Sequence, residues 1–267
     1  MVKTASKKTG FKKIRSVLGK IKYWGTLPVR WFQNVSIHPI GWIQGGPAPA
    51  ISRLHRLYEL TPQVLLAGYL QGTFPTGEKG SVVWHCPEIR GVIHPAEVHI
   101  SKRLKGYLNK RELVIRYDTA FQEVIEGCAD RKKTWITGDI NRVYRELHEM
   151  GYAHCVEAWD HDQLVGGGYG VVLGRVFFLE SMFCRQDQAS KIAFVQLARK
   201  LEEEGFHAID CQFLSEHWRR FGAQPMERHA FQSMVARSLN SPARFPGDTE
   251  QENRFQATDL QEAASAV

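Results

Sequence analysis

Two short segments of the sequence carry polar side chains suited to catalysis, and the first is the strand-like run over residues 208–213. Within it, Asp210 and Gln212 alternate with apolar residues, so a strand would turn both toward one face. Because a buried Asp must be paired or hydrogen-bonded, Asp210 is either a structural residue or a group that orients Gln212. In the second case, Gln212 would position an attacking amine.

The second segment places Glu180 in the middle of an aromatic-rich stretch over residues 176–183. Burial disfavours the charged form of a carboxylate, so such a residue is usually either ion-paired or functional. The functional interpretation is that Glu180 holds the α-amino group of a bound aminoacyl moiety. A structural pair with an Arg or Lys is the alternative.

Other chemistries are poorly supported by residue type and spacing. The five cysteines are odd in number, widely spaced and without a CxxC pair, which disfavours a disulfide framework or zinc site and favours a reducing compartment. Cys211 and His207, four residues apart across the start of a predicted strand, are not expected to form a nucleophile pair. His148, His154 and His161 do not form a local metal motif.

The hydrophobic pattern predicts the elements that must position these residues. Helical spacing from Ile140 to Leu147 ends near Gly151, and a second helix around Phe194 ends at Gly205. Predicted strands cover residues 153–159, 163–173, 175–183 and 208–213. Helix, hairpin, strand, helix and strand in this order make a mixed layer around an antiparallel sheet, which suits a GNAT-type acyltransferase fold.

The loop before the helix of Phe194 bears on whether a coenzyme could bind. GNAT acyltransferases have a pyrophosphate loop here, of the form Gln/Arg-x-x-Gly-x-Gly/Ala. This chain keeps Arg185 but has Gln188 at the first glycine position and Ser190 at the last. Without the first glycine, close approach of a coenzyme A pyrophosphate to the backbone is disfavoured.

The charge distribution and the composition divide the chain. Residues 1–58 hold eleven Lys or Arg and no Asp or Glu, so the net charge of +7 leaves −4 for the remainder. Such an arm can bind phosphates or an anionic membrane surface, or it can be a mobile tail. We expect a basic arm and linker over 1–50, a small N-terminal domain over 51–98, a catalytic domain over 99–238 and a disordered tail over 239–267.

Localisation follows from what the sequence lacks. Apolar runs stay short of the roughly 20 residues that a membrane helix needs. The basic N-terminus is not followed by an apolar stretch and cleavage site, so a secretory signal is not expected. We expect a cytoplasmic protein.

Many ordered stretches resemble the leucyl/phenylalanyl-tRNA–protein transferase family, over roughly residues 69–231. The strongest are Glu-Ser-Met-Phe at 180–183, Ala-Ser-Lys at 189–191 and Ile-Asp-Cys-Gln at 209–212. Further matches are Gln-Gly-Thr-Phe-Pro at 71–75, Thr-Trp-Ile-Thr at 134–137 and Gly-Tyr-Ala-His at 151–154.

The resemblance implies both fold and activity. The fold would be α+β, a GNAT-like mixed, mainly antiparallel sheet with flanking helices, preceded by a small N-terminal α+β domain. The activity would be transfer of Leu or Phe from aminoacyl-tRNA to proteins with an N-terminal Arg or Lys, which marks them for degradation. The catalytic positions would be Glu180, Asp210 and Gln212, and no metal or organic cofactor is implied.

The resemblance also implies binding positions. Trp135 and Tyr144 match positions around the terminal adenosine of the tRNA. Three basic residues match the region that meets the acceptor stem: Lys102, Arg103 and Lys105. The full expected substrate-binding set is Trp84, His85, Trp135, Tyr144, Gly168, Leu179, Ser181, Met182, Phe194 and Leu197.

The chain departs from the family pattern around the aminoacyl pocket. Leu179 stands where the family usually has glycine, Gly168 replaces a bulky apolar residue, and Phe194 replaces a smaller aliphatic one. The common Trp-Trp-Ser-Pro becomes Trp-His-Cys-Pro at 84–87. These changes predict a repacked pocket, with a preference shifted toward Leu over Phe or with a relaxed choice. One methylene changes discrimination by only about 1–3 kcal/mol.

Two other interpretations stay open from the residues alone. One is a GNAT-type acyltransferase that uses another aminoacyl-tRNA or an acyl-CoA, which the missing loop glycine disfavours. The other is a non-enzymatic tRNA- or membrane-binding module, which the joint presence of Glu180, Asp210 and Gln212 disfavours. We expect a monomer.

Overall fold

The computed structural model describes residues 60–78, 81–110 and 113–246. The basic arm lies outside this range, as do residues 247–267 of the expected tail. Within the described residues, no helix is both long enough and apolar enough to cross a membrane.

Seven α-helices and nine strands make up most of the described part of the chain. The helices are α1 (Pro62–Leu70), α2 (Lys102–Lys110), α3 (Phe121–Ala129), α4 (Gly138–Glu149), α5 (Ala189–Glu203), α6 (Glu216–Arg219) and α7 (Arg228–Ser238). The strands are β1 (Phe74–Glu78), β2 (Ser81–His85), β3 (Ile89–Ile93), β4 (Val114–Tyr117), β5 (Ala153–Asp160), β6 (Gln163–Leu173), β7 (Val176–Cys184), β8 (Ala208–Phe213) and β9 (Gln224–Glu227). The strands predicted at 163–173 and 208–213 have the predicted bounds.

Seven of the described strands form one mixed sheet in the order β4-β5-β6-β7-β8-β3-β9, while β1 and β2 form a separate two-stranded sheet. Every neighbouring pair in the large sheet is antiparallel except β7 and β8. The parallel pairing is short: it runs from Val176 opposite Ala208 to Phe178 opposite Asp210. The expected α+β architecture, a mainly antiparallel sheet with flanking helices, is confirmed.

Two apolar layers cover the two faces of the large sheet. One layer contains residues of α1, α3, α4 and α7, and it includes Phe178 and Ala208. The other contains residues of α2 and α5, and it includes Phe177 and Ile209. Adjacent strand residues therefore alternate between the layers, as the pleat of a strand requires.

Helix ends follow local signals in the sequence. Thr61 caps α1 by accepting a hydrogen bond from the N–H of Val64, and a proline follows at the first helical position. Gly151 and Gly205 both have a φ of +74°, in the left-handed region that glycine adopts at low cost. They follow α4 and α5, so the two predicted helix ends are confirmed.

The structure bears on two of the expected domain boundaries, at residue 98 and at residue 239. β3 precedes the expected boundary at residue 98, yet it lies between β8 and β9 in the large sheet, so the expected N-terminal domain supplies a strand to the same sheet as the expected catalytic domain. Disorder from residue 239 onward is a wrong expectation for 239–246, because Phe245 is buried and stacks on His154 at 4.3 Å between ring centroids. The backbone of Ala243 also bonds that of Gly174.

A candidate active site beyond the parallel strand pair

A cavity of about 360 Å³ lies where β7 and β8 continue past their paired residues. This volume is within the roughly 300–1,000 Å³ typical of small-molecule sites. The lining residues come from both strands, from α5, from α6 and the turn after it, and from the segment before α4. They are Arg131, Trp135, Leu179, Glu180, Ser181, Met182, Ser190, Lys191, Phe194, Cys211, Gln212, His217, Trp218 and Phe221.

Glu180 reaches this cavity from an irregularity in the sheet. In the pairing of β6 with β7, Tyr169 is opposite Ser181 and the next residue, Gly170, is opposite Leu179. Glu180 is therefore the extra residue of a β-bulge, a feature that redirects a side chain and occurs often beside active sites. The bulge turns the carboxylate toward the layer that contains α1 and α4.

Neutral donors surround the Glu180 carboxylate. Its Oε2 accepts a hydrogen bond of 2.8 Å from the hydroxyl of Tyr144, and its Oε1 accepts one of 2.9 Å from Nε2 of Gln212. The hydroxyl of Tyr69 bonds that of Tyr144 at 2.6 Å. Burial raises the pKa of Glu180 to about 7, against the lowering effect of its hydrogen bonds with Tyr69 and Tyr144. The carboxyl group can therefore gain or lose a proton near neutral pH.

Asp210 has a charged partner instead. Its two carboxylate oxygens accept hydrogen bonds from Nε and Nη2 of Arg90, and both side chains of this ion pair are completely buried. The guanidinium lies between the rings of Phe74 and Phe231, at 4.8 and 4.7 Å from their centroids. Its Nη1 also donates to the carbonyl of Gly72 at 3.2 Å. A guanidinium fixed by these three hydrogen bonds and two rings keeps Asp210 in one position.

Asp210 orients Gln212 through the main chain. Its Oδ1 accepts a hydrogen bond of 2.9 Å from the backbone N–H of Gln212. Gln212 has a φ of +62°, in a left-handed conformation that is unusual for a residue with a side chain. In the pairing of β3 with β8, Cys211 and Gln212 together stand opposite the single residue Gly91, so β8 is also bulged. This second bulge directs Gln212 to Glu180.

The apolar part of the cavity is rich in aromatic residues. Phe194 on α5 packs against Trp218 and Phe221, with ring centroids 5.1 and 5.0 Å away. Leu179 joins the same apolar layer. The thiol of Cys211 also lines the cavity, but burial raises its pKa well above the usual range, which disfavours a thiolate nucleophile.

Several expected binding residues lie away from the cavity lining. Tyr144 is behind Glu180 and completely buried, and Leu197 is buried in the core under α5. Trp84 covers Gly68, where an added Cβ would come within 2.2 Å of its ring. His85 stacks on Phe74 at 5.2 Å. The remaining expected residues line the cavity, except one: Gly168, whose added Cβ would come within 2.7 Å of Met182.

The three expected tRNA-binding residues are on α2. Lys102, Arg103 and Lys105 are all exposed on this helix, whereas Leu104 between them is buried against the layer of α5. The structure thus separates their side chains from the apolar face of α2.

Sequence patterns did not indicate some of the residues that shape the site. Arg90 carries no local signal, because its partner Asp210 is 120 residues away. Tyr69 carries no local signal either, because its bond to Tyr144 depends on the packing of α1 against α4. A glycine run is a signal that can indicate a close approach to the backbone, and here the neighbour is α5: a Cβ on Gly166 would come within 2.8 Å of Cβ of Ala189.

Comparisons with known proteins agree on one family. The family model described as leucyl/phenylalanyl-tRNA protein transferase matches residues 92–236. A leucyl/phenylalanyl-tRNA–protein transferase from Salinibacter ruber is 46% identical over 191 residues, which cover 70% of this chain and 84% of the relative. One from Saccharophagus degradans is 44% identical over 68% of this chain and 77% of its own length. One from Gloeobacter violaceus is 43% identical, covering 71% of this chain and 99% of the relative.

Proposed function

The chain belongs to the leucyl/phenylalanyl-tRNA–protein transferase family, an aminoacyltransferase family, and from this premise we propose that the cavity beside Glu180 and Gln212 receives the aminoacyl end of the charged tRNA. One observation carries the proposal. The two side chains come from strands that no longer pair, yet they bond each other at 2.9 Å on the wall of one cavity. A bulge in each strand produces this meeting.

The hydrogen bond between the two residues defines what Gln212 can do. Its amide nitrogen donates to Glu180, so its carbonyl oxygen is directed elsewhere and can accept an N–H from the acceptor amine. Such a bond aims the amine lone pair at the ester carbonyl. Asp210 supports this geometry by holding the backbone N–H of Gln212.

Glu180 supplies a group that can bind or exchange a proton. Its pKa of about 7 leaves comparable amounts of carboxylate and carboxylic acid near neutral pH. As a carboxylate it can hold the α-ammonium of the bound aminoacyl group. In the reaction the acceptor nitrogen forms a bond to the ester carbon, the bond to the ribose oxygen breaks, and a proton passes from the amine to that oxygen. An aminoacyl ester is already activated, so orientation supplies most of the rate.

The finer expectations complete the proposal. The acceptor is a protein with an N-terminal Arg or Lys, which the transfer marks for degradation in the cytoplasm, and the enzyme is a monomer. The short parallel pair within an antiparallel sheet supports a GNAT-like fold. The exposed basic residues of α2 support contact with the acceptor stem.

The first experiment measures transfer of radiolabelled Leu or Phe from tRNA to a protein with an N-terminal Arg. We expect label on the acceptor, and a decrease of roughly 10²–10⁴-fold in rate for Gln212→Ala, because the amine loses its acceptor. Gln163→Ala, at the exposed start of β6, is the matched control and should transfer at the wild-type rate. Undiminished transfer by Gln212→Ala would contradict the assigned role.

Side-chain preference is a second point that the cavity makes testable. Leu179 and Phe194 occupy lining positions, and the side chain of Met182 covers Gly168. We propose that this repacked lining favours Leu over Phe or relaxes the choice. The ratio of kcat/KM for Leu-tRNA and Phe-tRNA is expected to change by about tenfold in Leu179→Gly. An unchanged ratio would refute a role of Leu179 in selection.

A further inference from the structure

Lys191 is a cationic residue of the cavity that the proposed chemistry does not use. It lies in the first turn of α5, half-buried, and lines the same cavity as Glu180 and Gln212. Its ammonium donates to Oε1 of Gln188 at 2.9 Å. An ammonium group has three N–H donors, and the described residues give this one a single hydrogen bond.

The surroundings of Lys191 favour an anion. Among the described residues that line the cavity, Glu180 is the one carboxylate, and it is directed to Tyr144 and Gln212. The guanidinium of Arg131 is also at the lining, where it donates to the carbonyl of Met182 and lies 3.4 Å from Oγ of Ser181.

A neighbouring histidine shows the same local excess of positive charge. Burial lowers the pKa of His217, and the charges of Lys191 and Arg220 lower it further. A lining with two cations and a neutral imidazole is suited to a phosphate group, whose oxygens accept strong bonds from an ammonium.

The position of Lys191 connects the cavity with α2. Leu104 of α2 packs into the apolar layer of α5, and the charge of Arg103 lies near that of Asp187, just before α5. Arg103 and Lys191 are therefore both near the start of α5. A nucleic acid that contacts α2 would meet Lys191 as its end enters the cavity.

We propose that Lys191 binds the phosphodiester that joins the terminal adenosine of the tRNA to the preceding nucleotide. This assignment rests on the proposed function. With the aminoacyl group near Glu180 and Gln212, the terminal nucleoside fills the cavity and its 5′ phosphate is at the rim. A coenzyme A pyrophosphate offers the same chemistry, so the test must separate the two sources.

The test compares two minimal donors that differ in this phosphate. Leucyl-adenosine carries the ester without a 5′ phosphate, and a leucylated cytidylyl-cytidylyl-adenosine carries the phosphodiester. For Lys191→Ala we expect a decrease in kcat/KM of roughly tenfold or more with the trinucleotide, because a charged hydrogen bond is lost, and an unchanged value with leucyl-adenosine. Activity with leucyl-adenosine also proves that the variant is folded.

A matched control and a salt series complete the design. Lys200→Ala removes an exposed lysine of the same helix, whose ammonium bonds Glu203, and should leave both donors unaffected. With full-length Leu-tRNA, Lys191→Ala should reduce the slope of log affinity against log salt by about 0.7–0.9.

Four outcomes would overturn the assignment. An equal loss with both donors would mean that Lys191 acts on the aminoacyl group or on the fold, and no loss with the trinucleotide would exclude a phosphate contact. Competition by coenzyme A that disappears in Lys191→Ala would assign the phosphate to a coenzyme. If the wild-type protein transferred leucine from none of the donors, the proposed function itself would fail, and the assignment with it.

Discussion

Glu180 and Asp210 are buried carboxylates on neighbouring strands, but their surroundings differ. Asp210 bonds a guanidinium that is itself fixed between two aromatic rings. Glu180 bonds a phenol hydroxyl and an amide, which are neutral, and burial raises its pKa to about 7. Both acids also accept hydrogen bonds from the same residue: Asp210 from the backbone N–H of Gln212, and Glu180 from its side-chain amide.

The difference separates support from reactivity. A carboxylate bonded to a fixed cationic partner is held in one position, so it can hold a backbone N–H in place. A carboxylate with only neutral donors is poised to change its charge, which is useful for binding and releasing an amine. The same residue type therefore serves two purposes on adjacent strands, and the partner decides which.

The largest effect is expected when the cationic partner of Asp210 is removed. Arg90→Met leaves Asp210 as a buried, unpaired charge, and we expect a decrease of about 3–5 kcal/mol in the free energy of unfolding, measured with urea. The double variant Arg90→Met with Asp210→Asn should be less destabilised than the single variant, since no charge remains to bury. Equal stability of Arg90→Met and wild type would show that the pair does not support the fold.

A smaller effect is expected when the titratable acid is replaced. The pKa of Glu180 is about 7 in the folded protein against 4.5 for an unperturbed Glu. The folded state therefore binds this proton more tightly than the unfolded state. The contribution of the protonated Glu180 to the free energy of unfolding is complete below pH 4.5 and is lost as the pH rises through about 7. Between low and high pH, the free energy of unfolding of Glu180→Gln should therefore fall by roughly 3 kcal/mol less than that of the wild type.

The measurement for Glu180 is urea unfolding at about pH 5 and about pH 8, in wild type and variant. Other titrating groups are common to both proteins, so the difference between the two pH dependences isolates Glu180. Parallel pH dependences in the two proteins would mean that the Glu180 carboxyl has an ordinary pKa.

The smallest effect is expected when one neutral donor to Glu180 is removed. Tyr144→Phe removes the hydrogen bond to Oε2, so the pKa of Glu180 should rise by roughly 1 unit. The pH dependence of the transfer rate would shift upward accordingly. Tyr169→Phe is the control, because the buried hydroxyl of Tyr169 has no hydrogen-bond partner in the described part of the chain. A similar shift in both variants would exclude the specific bond as the cause.

Sequence patterns predicted the local elements well, because alternation and helix-stopping glycines are local signals. The strand at 208–213 and the ends of α4 and α5 are examples. The position of β3 inside the large sheet could not be predicted in this way, since strand neighbours are set by packing between distant segments. Phe245 likewise packs on residues far away in sequence.

The site was predictable in its residue types and less so in its geometry. Isolation of Glu180 among aromatic residues indicated a functional acid, and the assigned catalytic roles stay predictions. Regular alternation gave no indication of the bulges at Glu180 and at Gln212, which arise from pairing with β6 and with β3. The cation for Asp210 was not indicated either, because Arg90 lies in a segment without a distinguishing pattern.

The bonds of Arg90 also make one cooperative unit of two distant segments. The same guanidinium bonds the carbonyl of Gly72, before β1, and the carboxylate that holds the amide of Gln212. Local opening at Gly72 should therefore also loosen the backbone N–H of Gln212. In hydrogen-exchange experiments, the amide protons around Gly72 and Gln212 would exchange at coordinated rates, as expected for a single opening reaction. Fluctuations at the beginning of the described chain would in this way determine how long the amine-binding geometry persists.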